Sequence, residues 1–349
     1  MQINHSPRHG HRRLALFVLF FCGCLSGLPA GGSAPPPSLD RIFQKKEITV
    51  LITDSGLGGL SVCAELEKGL RQQGVFQKVR LVFANALPDT AHTYNSMRSR
   101  EEQIQALDAA LGGMVKRFRP DVALIACNTL SVLYPDTRFA QAASIPVLGI
   151  VESGVRILAE KLQQNPASRL ILFGTPITIR EAAHQKGLLR TGVDVGRITV
   201  QACPNLETEI QADPKSDVVR NLVEACAREA LGQGALPPSA PLVAGLCCSH
   251  YGYSQELFRQ ILQELSGGKV EVVDPNLEMS RLFLNQGMVS RFPETATTVE
   301  VVSRVPLSQE ERQSIAFLLT MTSPATAEAL IGYQRQADLF PFPPGGGSK

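Results

Sequence analysis

The sequence predicts an α/β protein made of two related halves, each a mainly parallel sheet flanked by helices. Two duplicated patterns carry this expectation. Val122-Ala123-Leu124-Ile125 is a short apolar run leading into Ala126-Cys127-Asn128-Thr129, and Leu242 to Leu246 leads in the same way into Cys247-Cys248-Ser249-His250. Unbroken apolar runs of this length read as strands buried on both faces, and polar residues at their carboxyl ends sit where open α/β sheets take ligands. The second pattern is a strand ending in carboxylate, Ser and Gly: Val50 to Asp54-Ser55-Gly56 near the start, and Val147 to Glu152-Ser153-Gly154 in the middle. Each half therefore runs from a carboxylate-Ser-Gly turn to a thiol followed by a hydroxyl residue, as two α/β halves facing each other would. A lone strand-end cysteine is more often inert packing than chemistry. Two at matched positions shift that balance.

In chain order, residues 1–40 read as an export signal and linker: Arg8, Arg12 and Arg13 precede the short apolar run Leu14 to Phe21, and small residues and prolines follow to Pro37. The apolar run is shorter than a membrane-spanning helix requires. Cleavage after Leu28-Pro29-Ala30 gives a soluble protein of the periplasm or cell envelope. Phe21-Cys22-Gly23-Cys24 resembles a bacterial lipoprotein box, and the alternative is a membrane-anchored lipoprotein held by lipid at Cys24. About 310 residues remain, enough for two α/β domains.

The glycine-rich Gly56-Leu57-Gly58-Gly59-Leu60 opens a helix to about Gln72. It lacks both the dinucleotide spacing and the phosphate-loop lysine, so no nucleotide site is expected there; its backbone N–H groups remain free to meet a small carboxylate. Val79 to Ala84 is a strand, and Asn85 to Ser99 is a polar loop carrying His92, Tyr94 and Asn95, suited either to solvent or to closing over a ligand. Ser99 to Phe118 is an amphipathic helix, Leu130 to Phe139 a helix after the first thiol, and Pro146 to Val151 a strand ending at Glu152. Leu170 to Phe173 is a strand feeding Gly174-Thr175-Pro176-Ile177-Thr178 into a helix. Ile198 to Ala202 is a strand, Val218 to Leu231 a helix, and Gly232 to Pro241 a connector. Beyond the second thiol come a helix over Gln255 to Leu265, a strand over Val270 to Val273 and a helix over Leu277 to Gln286. Thr298 to Val302 is a strand and Gln309 to Leu319 a helix, and Phe340 to Lys349 reads as a frayed tail.

A net charge of +2 and the absence of basic runs interleaved with aromatics argue against nucleic acid as a partner. No Cys-x-x-Cys or histidine-rich spacing suggests a metal site. Outside the leader stand Cys63, Cys127, Cys203, Cys226, Cys247 and Cys248. An even count in an exported chain invites disulfides, but these residues lie within apolar segments, where free thiols are expected.

Five separated motifs together resemble the cofactor-independent glutamate racemases of the aspartate/glutamate racemase superfamily. They are Asp54-Ser55-Gly56 with Gly58-Gly59-Leu60-Ser61, Cys127-Asn128-Thr129, Glu152 with Gly154-Val155, Gly174-Thr175 with Thr178, and Cys248-Ser249-His250-Tyr251. The resemblance covers Ile48 to Leu319 and implies two pseudo-symmetric domains with the active site in the cleft between them. The first would take residues 48–150 plus 275–335, the second 151–274, and 336–349 would be a flexible tail. It implies an amino-acid racemase needing no cofactor, supplying D-glutamate for peptidoglycan of the cell wall, and it leaves a homodimer open. By the same resemblance Cys127 and Cys248 are opposed acid and base, Asp54 assists Cys127, and Glu152 and His250 assist Cys248. Ser55, Asn128, Thr129, Thr178 and Ser249 would hold the substrate's amino and carboxylate groups. The family's Pro-Tyr-Gly is Thr93-Tyr94-Asn95 here, placing Tyr94 and Asn95 against the substrate side chain, and the threonine after the second cysteine is Ser249. Those departures, with export, leave aspartate or another amino acid as the alternative substrate, and an idle envelope amino-acid-binding protein as the alternative role.

Overall fold

Glu47–Asp54 (β1) is buried along nearly its whole length, and the first sheet is laid on both its edges. A computed structural model describes residues 38–91, 93–233, 240–284 and 290–342; the expected export signal up to Pro37, His92 and the end of the tail lie outside them. Among the described residues the other strands are Lys78–Asn85 (β2), Val122–Ile125 (β3), Val147–Gly149 (β4), Arg169–Gly174 (β5), Ile198–Ala202 (β6), Leu242–Cys247 (β7), Val270–Val273 (β8), Ala296–Ser303 (β9) and Gln334–Arg335 (β10). They form a six-stranded sheet, in the order β10-β9-β2-β1-β3-β4, and a four-stranded sheet, β6-β5-β7-β8. Every pairing given by the described residues is parallel.

Parallel strands need both faces covered, and the period-two alternation of apolar side chains provides for it. Val50, Ile52, Leu81 and Phe83 pack on one side of the first sheet, against helices Leu60–Gln73, Gln309–Leu319 and Pro324–Ile331. Leu51, Val82, Ala123 and Ile125 pack on the other, against Arg100–Phe118. In the second sheet Ile171, Phe173, Ala244 and Leu246 share one layer with Cys248, while Leu170, Leu172 and Val243 share the other with Cys247. The vicinal cysteines thus point to opposite sides, and Cys247 is core packing. Each large side chain buried in this way contributes roughly 1.5–3 kcal/mol.

Helix starts follow local capping chemistry. Ser99 accepts from the Glu102 amide, Thr175 from Thr178, and Ser308 forms a reciprocal capping box with Glu311. The expected helix from Leu130 to Phe139 is broken: Asn128–Leu133 is α-helical, Pro135 falls in a 3-10 turn over Tyr134–Asp136, and helix resumes at Arg138–Ala142. The expected strand to Val151 stops at Gly149, because a helix already begins at Ile150. Phe340, expected to be frayed, is buried against the first sheet's core. Helices Ile150–Gln164 and Pro275–Leu284 carry the chain from one sheet to the other and back, packed on each other.

Candidate active site

β3 and β7 hold the two thiols for the same reason: each is an apolar strand buried on both faces, and the first residues past its carboxyl end emerge at the sheet margin. Cys127 and Cys248 are each 5% exposed and line one cavity of about 260 Å³. Ser55, Tyr94, Asn95, Asn128, Thr129, Ser249 and His250 share its wall, so most of the expected site residues converge.

On the first side, the Cys127 thiol lies 3.2 Å from the Ser55 hydroxyl. Burial, reinforced by the Asp54 charge, pushes the Cys127 thiol up to about 12, against the pull of the Ser55 hydroxyl and nearby backbone amides. On the second side, burial and then the Glu207 charge push Cys248 well above the usual thiol range, opposed by the His250 backbone N–H. Both thiols are therefore protonated at rest. A thiolate formed here would be a stronger base than a free cysteine, provided that bound substrate offsets its charge.

Asp54 is wholly buried at the end of β1. Its Oδ1 accepts from the Gly56 amide at 2.8 Å and its Oδ2 from the Ser249 hydroxyl at 2.6 Å. It makes no hydrogen bond to Cys127, which it reaches through charge alone. His250 Nδ1 lies 3.9 Å from Cys248 Sγ, and burial lowers the imidazole's pKa. Asn128 is 1% exposed, and neither its amide oxygen nor its nitrogen has a partner among the described residues. A buried, unpaired amide on a cavity wall is costly unless a ligand satisfies it. Thr129 Oγ1 lies 2.9 Å from Thr175 Oγ1 and 3.3 Å from Thr178 Oγ1. Tyr94 donates its hydroxyl to the Ala86 carbonyl, and Asn95 Nδ2 donates to Glu207 Oε1 at 3.0 Å.

Three expectations need correction. Glu152 does not join this cavity: it falls in the first turn of the helix from Ile150 and lines a separate hollow with Arg100, Glu181, Lys186 and Arg190, with no contact to Cys248. Thr178 stands behind the wall, and the hydroxyl that lines the cavity at this turn is that of Thr175. The glycine turn does not offer all its amides to a ligand, because the Gly56 N–H is taken by Asp54 and the Leu57 N–H by Gln211 Oε1 at 2.8 Å. Its glycines serve close approach instead. A Cβ on Gly58 would lie 2.5 Å from Ser249 Oγ and 2.6 Å from the His250 nitrogen. Sequence reasoning missed Glu207, Gln211 and Glu311, which also line the cavity. Glu207 and Gln211 ride on the short polar helix Leu206–Ala212, which carries little periodic signal.

A family model described as Asp/Glu/Hydantoin racemase matches residues 53–236. The glutamate racemase of Aquifex pyrophilus is 31% identical over 231 residues, covering 66% of this chain and 79% of that protein. That of Geobacter metallireducens is 29% identical over 234 residues, covering 66% and 77%. Among solved structures, the Aquifex pyrophilus glutamate racemase superposes with a TM-score of 0.54 at 25% identity, covering 83% of this chain and 97% of that one. The Francisella tularensis glutamate racemase in complex with D-glutamate superposes with a TM-score of 0.59 at 18% identity, covering 83% and 95%, a likeness of fold.

Proposed function

The chain belongs to the Asp/Glu/Hydantoin racemase family, and from that premise we propose that it interconverts the enantiomers of an amino acid, glutamate first, with Cys127 and Cys248 as paired acid and base. The observation that carries this reading is the convergence of two thiols, one from the carboxyl end of a strand in each sheet, on one cavity lined with hydrogen-bonding groups.

Racemisation needs a base on one face of the α-carbon and an acid on the other. With substrate bound between the sulfurs, one thiolate removes the α-proton, the electron pair delocalises into the α-carboxylate, and the opposite thiol delivers its proton to the other face. The products are the mirror-image amino acid and a protein whose two sulfurs have exchanged protonation states. His250 Nδ1 is placed to take the Cys248 proton, and the Ser55 hydroxyl to stabilise a Cys127 thiolate. Asn128, Thr129, Thr175 and Ser249 supply hydrogen bonds for the ammonium and carboxylate groups. The buried site keeps water from quenching the carbanion. Purified protein incubated with L-glutamate, L-aspartate and a panel of other L-amino acids, with no cofactor added, tests the reading: ellipticity of L-glutamate should decay to zero, and a panel with no decay at all would refute it.

The leader supports an envelope location: basic Arg8, Arg12 and Arg13 stand before an apolar run too short to span a bilayer. D-Glutamate made there would serve a role distinct from cytoplasmic supply of wall precursors. Cell fractionation with mass measurement of the mature N-terminus separates cleavage near Ala30 from lipid attachment at Cys24, and a cytoplasmic chain retaining residues 1–30 would contradict export.

A further inference from the structure

Gln211 sits where two fixed neighbours dictate its amide orientation, and that orientation dictates the tautomer of His250. Gln211 Nε2 donates to Glu311 Oε1 at 2.8 Å, while Oε1 accepts from the Leu57 N–H at 2.8 Å and faces His250 Nε2 at 3.0 Å. The other oxygen of Glu311 accepts from the Ser308 amide in a capping box, so the carboxylate is itself held. Flipping the Gln211 amide would set its oxygen against the Glu311 carboxylate and its NH₂ against the Leu57 N–H. Both contacts would be repulsive. The Leu57 N–H also lies 3.3 Å from His250 Nε2, but it is nearer to Gln211 Oε1, and that oxygen is the closer neighbour of Nε2. With both donors sharing Oε1, His250 Nε2 carries the proton, since a bare nitrogen would oppose a carbonyl oxygen at hydrogen-bond distance. Nδ1 is then bare and faces Cys248 Sγ.

We propose that Gln211, anchored by Glu311, is the positioning residue that fixes His250 as the proton acceptor for Cys248. Leu57 and Glu311 belong to elements packed on the first sheet, whereas Gln211 and His250 follow β6 and β7 of the second. The amide therefore joins elements of the two sheets across the site. This inference rests on the racemase reading. The charged and titratable groups facing Cys248 are Glu207 from helix Leu206–Ala212, Asp54 from β1, Cys127 after β3, Cys203 after β6, and His250 and Tyr251 on its own turn; those facing His250 are Asp54, Glu311 and Cys248.

The test combines Gln211→Leu, Gln211→Glu and the exchange Gln211→Glu with Glu311→Gln in the full chain, read by kcat/KM and by iodoacetamide labelling of each thiol against pH. Gln211→Leu should lower kcat/KM about a hundredfold and move the labelling midpoint of Cys248 upward by about one pH unit, leaving Cys127 where it was. Gln211→Glu sets carboxylate against carboxylate and should lose activity; the exchange restores one donor and one acceptor and should recover it to within a few-fold. Wild-type kcat/KM in Gln211→Leu, equal shifts at both thiols, or a folded exchange variant with no recovery would each overturn the proposal. Labelling needs no turnover, so a wild-type protein that racemises nothing would refute the racemase reading while leaving the Gln211 effect measurable.

Discussion

Ser249 donates its hydroxyl to Asp54 Oδ2 at 2.6 Å, joining the residue after one thiol to the carboxylate at the end of β1 in the opposite sheet. The bond holds the Cys248 turn against the first sheet, and the Asp54 charge raises both thiols and His250. Asp54→Asn should therefore cut kcat at least about a hundredfold while lowering the labelling midpoint of Cys127. Ser249→Ala should weaken catalysis less and leave the Cys127 midpoint unchanged. Equal midpoints for wild type and Asp54→Asn would show that the carboxylate does not act on Cys127 through its field.

Ser55 works in the opposite sense. Its hydroxyl, 3.2 Å from Cys127, favours the thiolate. Ser55→Ala should raise the Cys127 labelling midpoint and cost roughly 1.5–3 kcal/mol of thiolate stabilisation, the usual worth of a hydrogen bond to a charged group. A lowered midpoint would mean that the hydroxyl serves the protonated thiol instead.

Gly58 has no room for a side chain where the glycine turn meets the Ser249-His250 backbone. Gly58→Ala should keep both sheets, by far-ultraviolet circular dichroism, yet lose most turnover because the turn can no longer reach His250. Unimpaired kcat/KM in this variant would show that the close approach is not needed for chemistry.

His184 is buried with no hydrogen-bond partner for Nε2 among the described residues, and burial lowers its pKa from the usual 6.5 to about 4. The folded state keeps it neutral while the unfolded state takes up a proton below pH 6.5, so stability is lost as pH falls from about 6.5 to 4. The full loss is on the order of 3 kcal/mol. Urea unfolding of wild type and His184→Gln across that window should show a shallower decline for the variant; parallel curves would rule out this histidine as the cause.

The thiol sites were legible in the sequence because a strand buried on both faces must be a continuous apolar run, and a polar residue ending such a run has few places to go but the sheet margin. Glu152 was misread for a related reason. Val147 to Val151 is apolar throughout, but nothing in composition distinguishes a five-residue strand from three strand residues followed by the apolar first turn of a helix, which the chain adopts at Ile150. Gln211 and Glu311 were illegible because their roles depend on a contact across 100 residues between two polar helix positions, each of which taken alone reads as solvated surface. Thr175 and Thr178 lie three residues apart in one turn, and sequence alone does not tell the helix-capping Thr175, which lines the cavity, from Thr178, which bonds to it from behind.

The proposed pairing has Cys127 and Cys248 acting as acid and base from opposite faces of the substrate. It is tested most directly by incubating wild type, Cys127→Ser and Cys248→Ser with each enantiomer of glutamate in deuterium oxide, following both ellipticity and α-deuterium. Wild type should racemise either enantiomer with deuterium gained in the product, and each serine variant, folded as judged by its circular dichroism, should lose racemisation by at least about a thousandfold. A single-cysteine variant that racemises glutamate at the wild-type rate would contradict the account.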